Sequence, residues 1–101
     1  MSTFSFDLEA ASQLLDILGS PVRLEILRIL EQGEISVTAL AARVGMSQSA
    51  ISQHLKKMRD RSVVMTRRSA QTIYYSLPAG SSASVVLAVL EGPPVPDPVI
   101  L

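Results

Sequence analysis

The run Val44-Gly45-Met46-Ser47-Gln48-Ser49-Ala50-Ile51-Ser52-Gln53-His54-Leu55-Lys56-Lys57-Met58 admits few folds. Gly45 can adopt a left-handed conformation without steric cost, so it can end one helix. Two residues on, Ser47 can cap the next helix by accepting a hydrogen bond from an otherwise unpaired backbone N–H. With successive residues about 100° apart, Leu55 and Met58 fall beside Ile51 on one apolar face. Ser49, Gln53 and Lys56 point the opposite way, with Ser52 on the flank. A face of short polar groups and lysines can enter a major groove and hydrogen-bond base edges and phosphates. The pattern is that of a helix-turn-helix, its second helix the recognition helix.

The formal net charge is zero, which looks wrong for a nucleic-acid binder, but the charges are segregated. Residues 1–42 hold six acids and two bases. Residues 43–77 hold seven bases (Arg43, Lys56, Lys57, Arg59, Arg61, Arg67, Arg68) and one acid, Asp60. A polyanion responds to the local field rather than to the sum, so a basic block around the helix-turn-helix suits DNA.

The chain of 101 residues is read as one small domain over 1–91 with a tail over 92–101. Hydrophobic residues make up 48% and aromatics only 4%, so the core must be aliphatic. A domain of this size buries a modest share of its surface. The aliphatic surplus therefore points to a second apolar surface covered by a partner. With no cysteine, disulfides, thiolate metal sites and thiol redox sensing are excluded. The N-terminus has no basic stretch followed by a long apolar run, and nothing approaches the roughly 18–20 apolar residues of a membrane span. A soluble cytoplasmic protein is the expectation.

Helical periodicity over 6–18 predicts a first helix. Ser20 as cap and Pro21 in the first turn predict a second over 21–32, broadly apolar and closed by Gly33. Ser36 or Thr38 opens a short third helix through Leu40, Ala41 and Val44, and the recognition helix spans about 47–60. The period then changes. Residues 63–67 and 71–77 are rich in β-branched and aromatic types, which predicts a hairpin turning through Arg68-Ser69-Ala70. Ile73, Tyr75 and Leu77 would share one face, Thr72, Tyr74 and Ser76 the other. A hairpin in this position is a wing, and Arg67 and Arg68 make its tip basic. Residues 81–91 are too apolar for a free surface helix and are expected to pair with 6–18 and with the same helices of a second subunit. The tail holds four of the six prolines, so it is expected to be extended or disordered. The fold class is mainly α with a β-hairpin wing, in the order α-α-α-α-β-β-α.

Residues 18–77 resemble the ArsR/SmtB family of winged helix-turn-helix bacterial regulators. Leu18-Gly19-Ser20-Pro21-Val22-Arg23-Leu24-Glu25-Ile26-Leu27 is similar to that family's second helix. Ser47-Gln48-Ser49-Ala50-Ile51-Ser52-Gln53-His54-Leu55 is similar to its recognition helix, and Tyr74-Tyr75-Ser76-Leu77 to its second wing strand. The strand Gln71-Thr72-Ile73-Tyr74-Tyr75 also resembles the branch that includes NolR and HlyU. The resemblance implies a homodimer with terminal helices at its interface and control of transcription through DNA. It departs from the metal-sensing members. Residues 34–40 lack their cysteine motif, and 84–90 lack the Asp and His ligands of the last helix. One histidine without partner ligands makes no transition-metal site, so His54 is read as structural, with a phosphate within reach. Where the family often has a glycine after the recognition helix, this chain has Arg61-Ser62, and a left-handed Ser62 costs on the order of 1 kcal/mol.

The sequence thus predicts a homodimeric, sequence-specific repressor on an inverted-repeat operator, without cofactor, metal or thiol input. The candidate DNA contacts are Ser47, Gln48, Ser49, Ser52, Gln53, His54, Lys56, Lys57, Arg67 and Arg68. The candidate interface residues are Leu8, Leu14, Leu15, Val86, Leu87 and Leu90, and Leu14, Leu15, Val86 and Val89 could alternatively line an apolar ligand pocket. A winged-helix module acting through a partner protein is the alternative, opposed by the polar face and the basic block. An enzyme is not expected, since the chain has no Gly-rich phosphate loop and no nucleophile–base set.

Overall fold

The computed structural model describes residues 5–92. Five helices and three strands follow the order α1 (Leu8–Leu18), α2 (Pro21–Leu30), β1 (Ile35–Ser36), α3 (Val37–Val44), α4 (Gln48–Asp60), β2 (Met65–Ser69), β3 (Thr72–Ser76) and α5 (Ser82–Glu91). The mainly α, winged class holds, with one strand more than expected. The proline-rich tail from residue 93 on lies outside the described residues.

Caps set the helix starts. Asp7 Oδ1 accepts from the N–H groups of Glu9 and Ala10, so α1 begins at Leu8 and Phe6 lies outside the helix that was expected to include it. Ser20 caps α2 with Pro21 in its first turn. Helix α2 ends at Leu30 rather than Gln32. The N–H groups of Gln32 and Gly33 turn back to Ile29 and Leu30, which tightens the chain, and Gly33 leaves at φ 135°. Ser36, not Thr38, caps α3, and Gly45 closes it in the left-handed region at φ 78°.

Helix α4 opens on Ser47, whose Oγ accepts from the Ala50 N–H at 3.1 Å. It closes with paired hydrogen bonds, Val63 N–H to Met58 C=O and Ser62 N–H to Arg59 C=O, both 2.9 Å. That is a Schellman ending, and it forces Ser62 to φ 58° where glycine is the usual occupant. The closure delivers Val63 and Val64 to the core, only 8% and 4% exposed, instead of to the wing.

The wing is therefore shifted from its expected place. Strand β2 begins at Met65, Arg68 and Ser69 are within it, and the turn is Ala70-Gln71, with Ala70 at φ 54°. In register, Arg67 faces Tyr74, Arg68 faces Ile73 and Ser69 faces Thr72. The faces alternate as expected: Tyr75 is buried, and Ile73 and Leu77 pack against the core. Strand β1 was not anticipated. It pairs antiparallel with β3 through Ile35–Tyr75 and Ser36–Tyr74, giving the sheet order β1-β3-β2 and tying the wing to the body. The core is aliphatic, centred on Ile17, Ile26, Leu27, Leu40, Ile51, Leu55 and Met58, with Tyr75 the one aromatic in it among the described residues.

Candidate nucleic-acid interface

Helix α4 is held by one face. Ile51, Leu55 and Met58 are fully buried, while Gln48, Ser49, Ser52, Gln53, Lys56 and Lys57 are exposed and His54 is half-buried. Ser47 is exposed, and its hydroxyl oxygen is engaged as the cap. The face offered to solvent therefore contains the expected base-reading groups, fixed in rotation by three buried anchors.

The basic groups are less free than the sequence suggested. Lys56 Nζ lies 2.7 Å from Asp60 Oδ2, and Lys57 Nζ lies 3.3 Å from Asp16 Oδ2 on α1. The Lys56 hydrogen bond holds the Asp60 carboxyl below its ordinary range. Arg67 makes a two-pronged contact with Glu34, at 3.1 Å from Nε and 2.6 Å from the terminal nitrogen, with its guanidinium 4.6 Å above the Tyr74 ring. The Arg67 hydrogen bond lowers the Glu34 carboxyl, and that partner raises Arg67 in turn. Arg68 forms no hydrogen bond or ion pair among the described residues and shares a sheet face with Ile73 and Tyr75. On that side the Arg59 guanidinium of α4 donates to the Tyr75 hydroxyl at 3.4 Å.

Sequence reasoning missed Glu34, Asp16 and the bracing role of Arg59, because ion pairs between residues 33 or 41 positions apart leave no local pattern. Only Lys56–Asp60, four residues apart on a helix, could have been read in advance.

At the other end, Leu8, Leu15 and Leu90 are exposed, 53%, 61% and 64%. Leu87 is instead buried within the chain itself, and Leu14 and Val86 pack partly against the core. Val85 and Val89, not among the candidate interface residues, are open at 62% and 72%, as is Phe6 at 54%. A cleft of about 500 Å³ between the start of α1, the α4–β2 turn and the start of α5 is lined by Leu14. Leu15, Val86 and Val89 do not line it. Among the described residues, no group of three or more His, Cys, Asp or Glu comes together to hold a metal ion, and no helix is long and apolar enough to cross a membrane.

Comparison with known proteins supplies the lineage. Residues 20–64, from the cap of α2 to the end of the α4 closure, match the model for bacterial regulatory proteins of the arsR family. The chain is 51% identical over 84 residues to the nodulation protein NolR of Rhizobium meliloti, covering 83% of this chain and 66% of that protein. It is 42% identical over 78 residues to the transcriptional activator HlyU of Vibrio cholerae, covering 77% and 68%.

The chain belongs to the arsR family.

The family's winged helix-turn-helix is also what the structure matches. NolR from Sinorhizobium fredii superposes with a TM-score of 0.78 at 44% identity, covering 90% of this chain and 94% of that one. HlyU from Vibrio cholerae superposes at 0.79 with 35% identity, covering 87% and 95%. A Mycobacterium bovis protein, described as a homodimeric winged helix-turn-helix DNA-binding domain, superposes at 0.75 with 28% identity, covering 90% and 87%. This arsR-family chain is thus a transcriptional regulator rather than an enzyme, and it spans about two thirds of the length of the relatives it matches in sequence.

Proposed function

We propose that this regulator is a homodimeric repressor that binds an imperfect inverted repeat in double-stranded DNA. Helix α4 enters the major groove and the wing grips the backbone beside it. The observation that carries this reading is the division of α4: three anchors buried to 0% and an opposite face of Ser49, Ser52, Gln53 and Lys56 left to solvent. A helix with that division has its reading face fixed before DNA arrives. Gln53 is the residue for base readout, since its amide can pair with the N6/N7 edge of adenine. Ser49 and Ser52 can contact a base or a phosphate, whereas Lys56 and Lys57 are flexible cations suited to phosphate.

The dimer forms through α1 and α5. Leu8, Leu15, Val85, Val89 and Leu90 expose apolar surface there that one small domain leaves uncovered. Two-fold symmetry would then present the two α4 helices to successive major grooves, about 34–36 Å apart, with half-site centres roughly 10 bp apart. Regulation does not run through a bound metal or a thiol, because the chain offers one histidine and no cysteine. Selection of bound fragments from a random duplex library tests the whole reading. An enriched inverted repeat with that spacing is expected, and recovery of no sequence would refute DNA recognition.

A further inference from the structure

Arg67 and Arg68 are adjacent in the sequence but cannot do the same work. Strand alternation sends their side chains to opposite faces of the wing. Arg67 shares its face with Tyr74, its direct cross-strand partner, and Tyr74 in turn pairs with Ser36 of β1. Glu34 precedes β1 by one residue and completes the row. The Arg67 side chain thus runs across the outer face of all three strands, over the Tyr74 ring, to a two-pronged hydrogen bond on Glu34. Arg68 emerges on the Tyr75 side, the side braced by Arg59 of α4, and it carries no partner among the described residues.

We propose that Glu34, Tyr74 and Arg67 form a strap that sets the angle of the wing to the body, and that Arg68, held by that strap on the same side as α4, is the wing residue that contacts phosphate. The proposal rests on the DNA-binding reading and refines it. Arg67 is a positioning residue. Strand β1 is only two residues long, so its ladder alone is a weak tie for the hairpin. A planar guanidinium is suited to the task, because it can stack on a ring and grip a carboxylate with two parallel hydrogen bonds at once. Strand β2 is exposed along its whole length, so beyond its ladder with β3 few contacts restrain it.

The test has two arms on the full chain. In the free protein, amide hydrogen exchange along β2 and β3 reads the strap. Glu34→Gln and Arg67→Ala should each speed exchange there about three- to fivefold, the scale of an exposed ion pair. The double variant should add little, and the reversed pair Glu34→Arg/Arg67→Glu should slow exchange again. Unchanged wing exchange in both single variants would overturn the strap. In the second arm, affinity for the selected duplex is measured across salt concentrations. Arg68→Ala should flatten the slope of log K against log salt by about 0.9, the signature of one lost phosphate contact, with wing exchange unaltered. Arg67→Ala should weaken binding severalfold and leave the slope alone. A flattened slope for Arg67→Ala but not for Arg68→Ala would reverse the assignment, and tighter binding by Glu34→Gln would make Glu34 a competitor of DNA instead. If the unaltered protein binds no duplex, the DNA-binding reading and the phosphate role of Arg68 fall together, and the exchange rates still decide the strap.

Discussion

Arg23 on α2 closes the end of α1, its Nε donating to the Ile17 carbonyl at 2.6 Å and its terminal nitrogen to the Asp16 carbonyl at 3.2 Å. Both carbonyls are in the last turn of α1, where helical donors run out, and the Asp16 carbonyl also accepts the Gly19 N–H at 3.2 Å. The arginine thus welds the two helices across Gly19-Ser20, and a cation at a helix C-terminus also complements the helix dipole.

Arg23→Ala should therefore lower the unfolding free energy by about 1–2 kcal/mol, the scale of partly exposed hydrogen bonds to a charged donor. Arg23→Lys should restore only part of it, since an ammonium cannot reach both carbonyls in the fixed geometry of the guanidinium. Urea denaturation followed by circular dichroism checks both.

The Glu34–Arg67 contact predicts a pH response of defined sign. Its hydrogen bond to Arg67 lowers the Glu34 carboxyl from the ordinary 4.5. The stabilisation it gives the wing is therefore complete above that ordinary value and fades as pH falls through the lowered one. Carboxyl chemical shifts followed by NMR should show Glu34 titrating below the ordinary 4.5. In Arg67→Ala its midpoint should rise toward 4.5.

Ser62 occupies a left-handed position, φ 58°, in the Schellman closure of α4. Ser62→Gly should raise stability by about 0.5–1 kcal/mol, the steric relief at a left-handed position less the extra freedom glycine gives the unfolded chain. Thermal unfolding reads the change, and a loss of stability would mean the Ser62 side chain contributes something its conformation hides.

Most of the fold was legible because its signals are local. Ser20-Pro21, Gly45, Ser47 and the spacing of Ile51, Leu55 and Met58 each act within a turn of helix, and each is found doing what its chemistry suggests. The failures are where tertiary structure decides. Val63 and Val64 are β-formers by composition, yet the α4 closure sends them inward, moving the wing along the chain. Strand β1 exists only because Tyr74 and Tyr75 supply a neighbouring edge, and two residues carry no period. For the candidate site, the residue types on α4 could be read directly from helical spacing. The carboxylate partners of Lys57 and Arg67 could not, since both come from distant segments.

The apolar surface separates into two classes with different expected phenotypes. Leu15→Glu or Val89→Glu places a charge on exposed apolar surface and should give folded monomers, which sedimentation velocity would resolve. Leu87→Ala removes a core side chain and should cost about 2–4 kcal/mol of stability. If both exposed variants remain dimeric at micromolar concentration, the interface lies elsewhere.

In the proposed reading of DNA by α4 the deciding residue is Gln53, exposed on the face opposite the buried Ile51, Leu55 and Met58. Fluorescence anisotropy with the selected operator and a scrambled duplex of the same length, for the unaltered chain and Gln53→Ala, measures that role directly. A loss of about 1–3 kcal/mol on the operator, with little change on the scrambled duplex, is expected if Gln53 reads a base. Equal weakening on both duplexes, or no effect on either, would contradict sequence recognition by this face of α4.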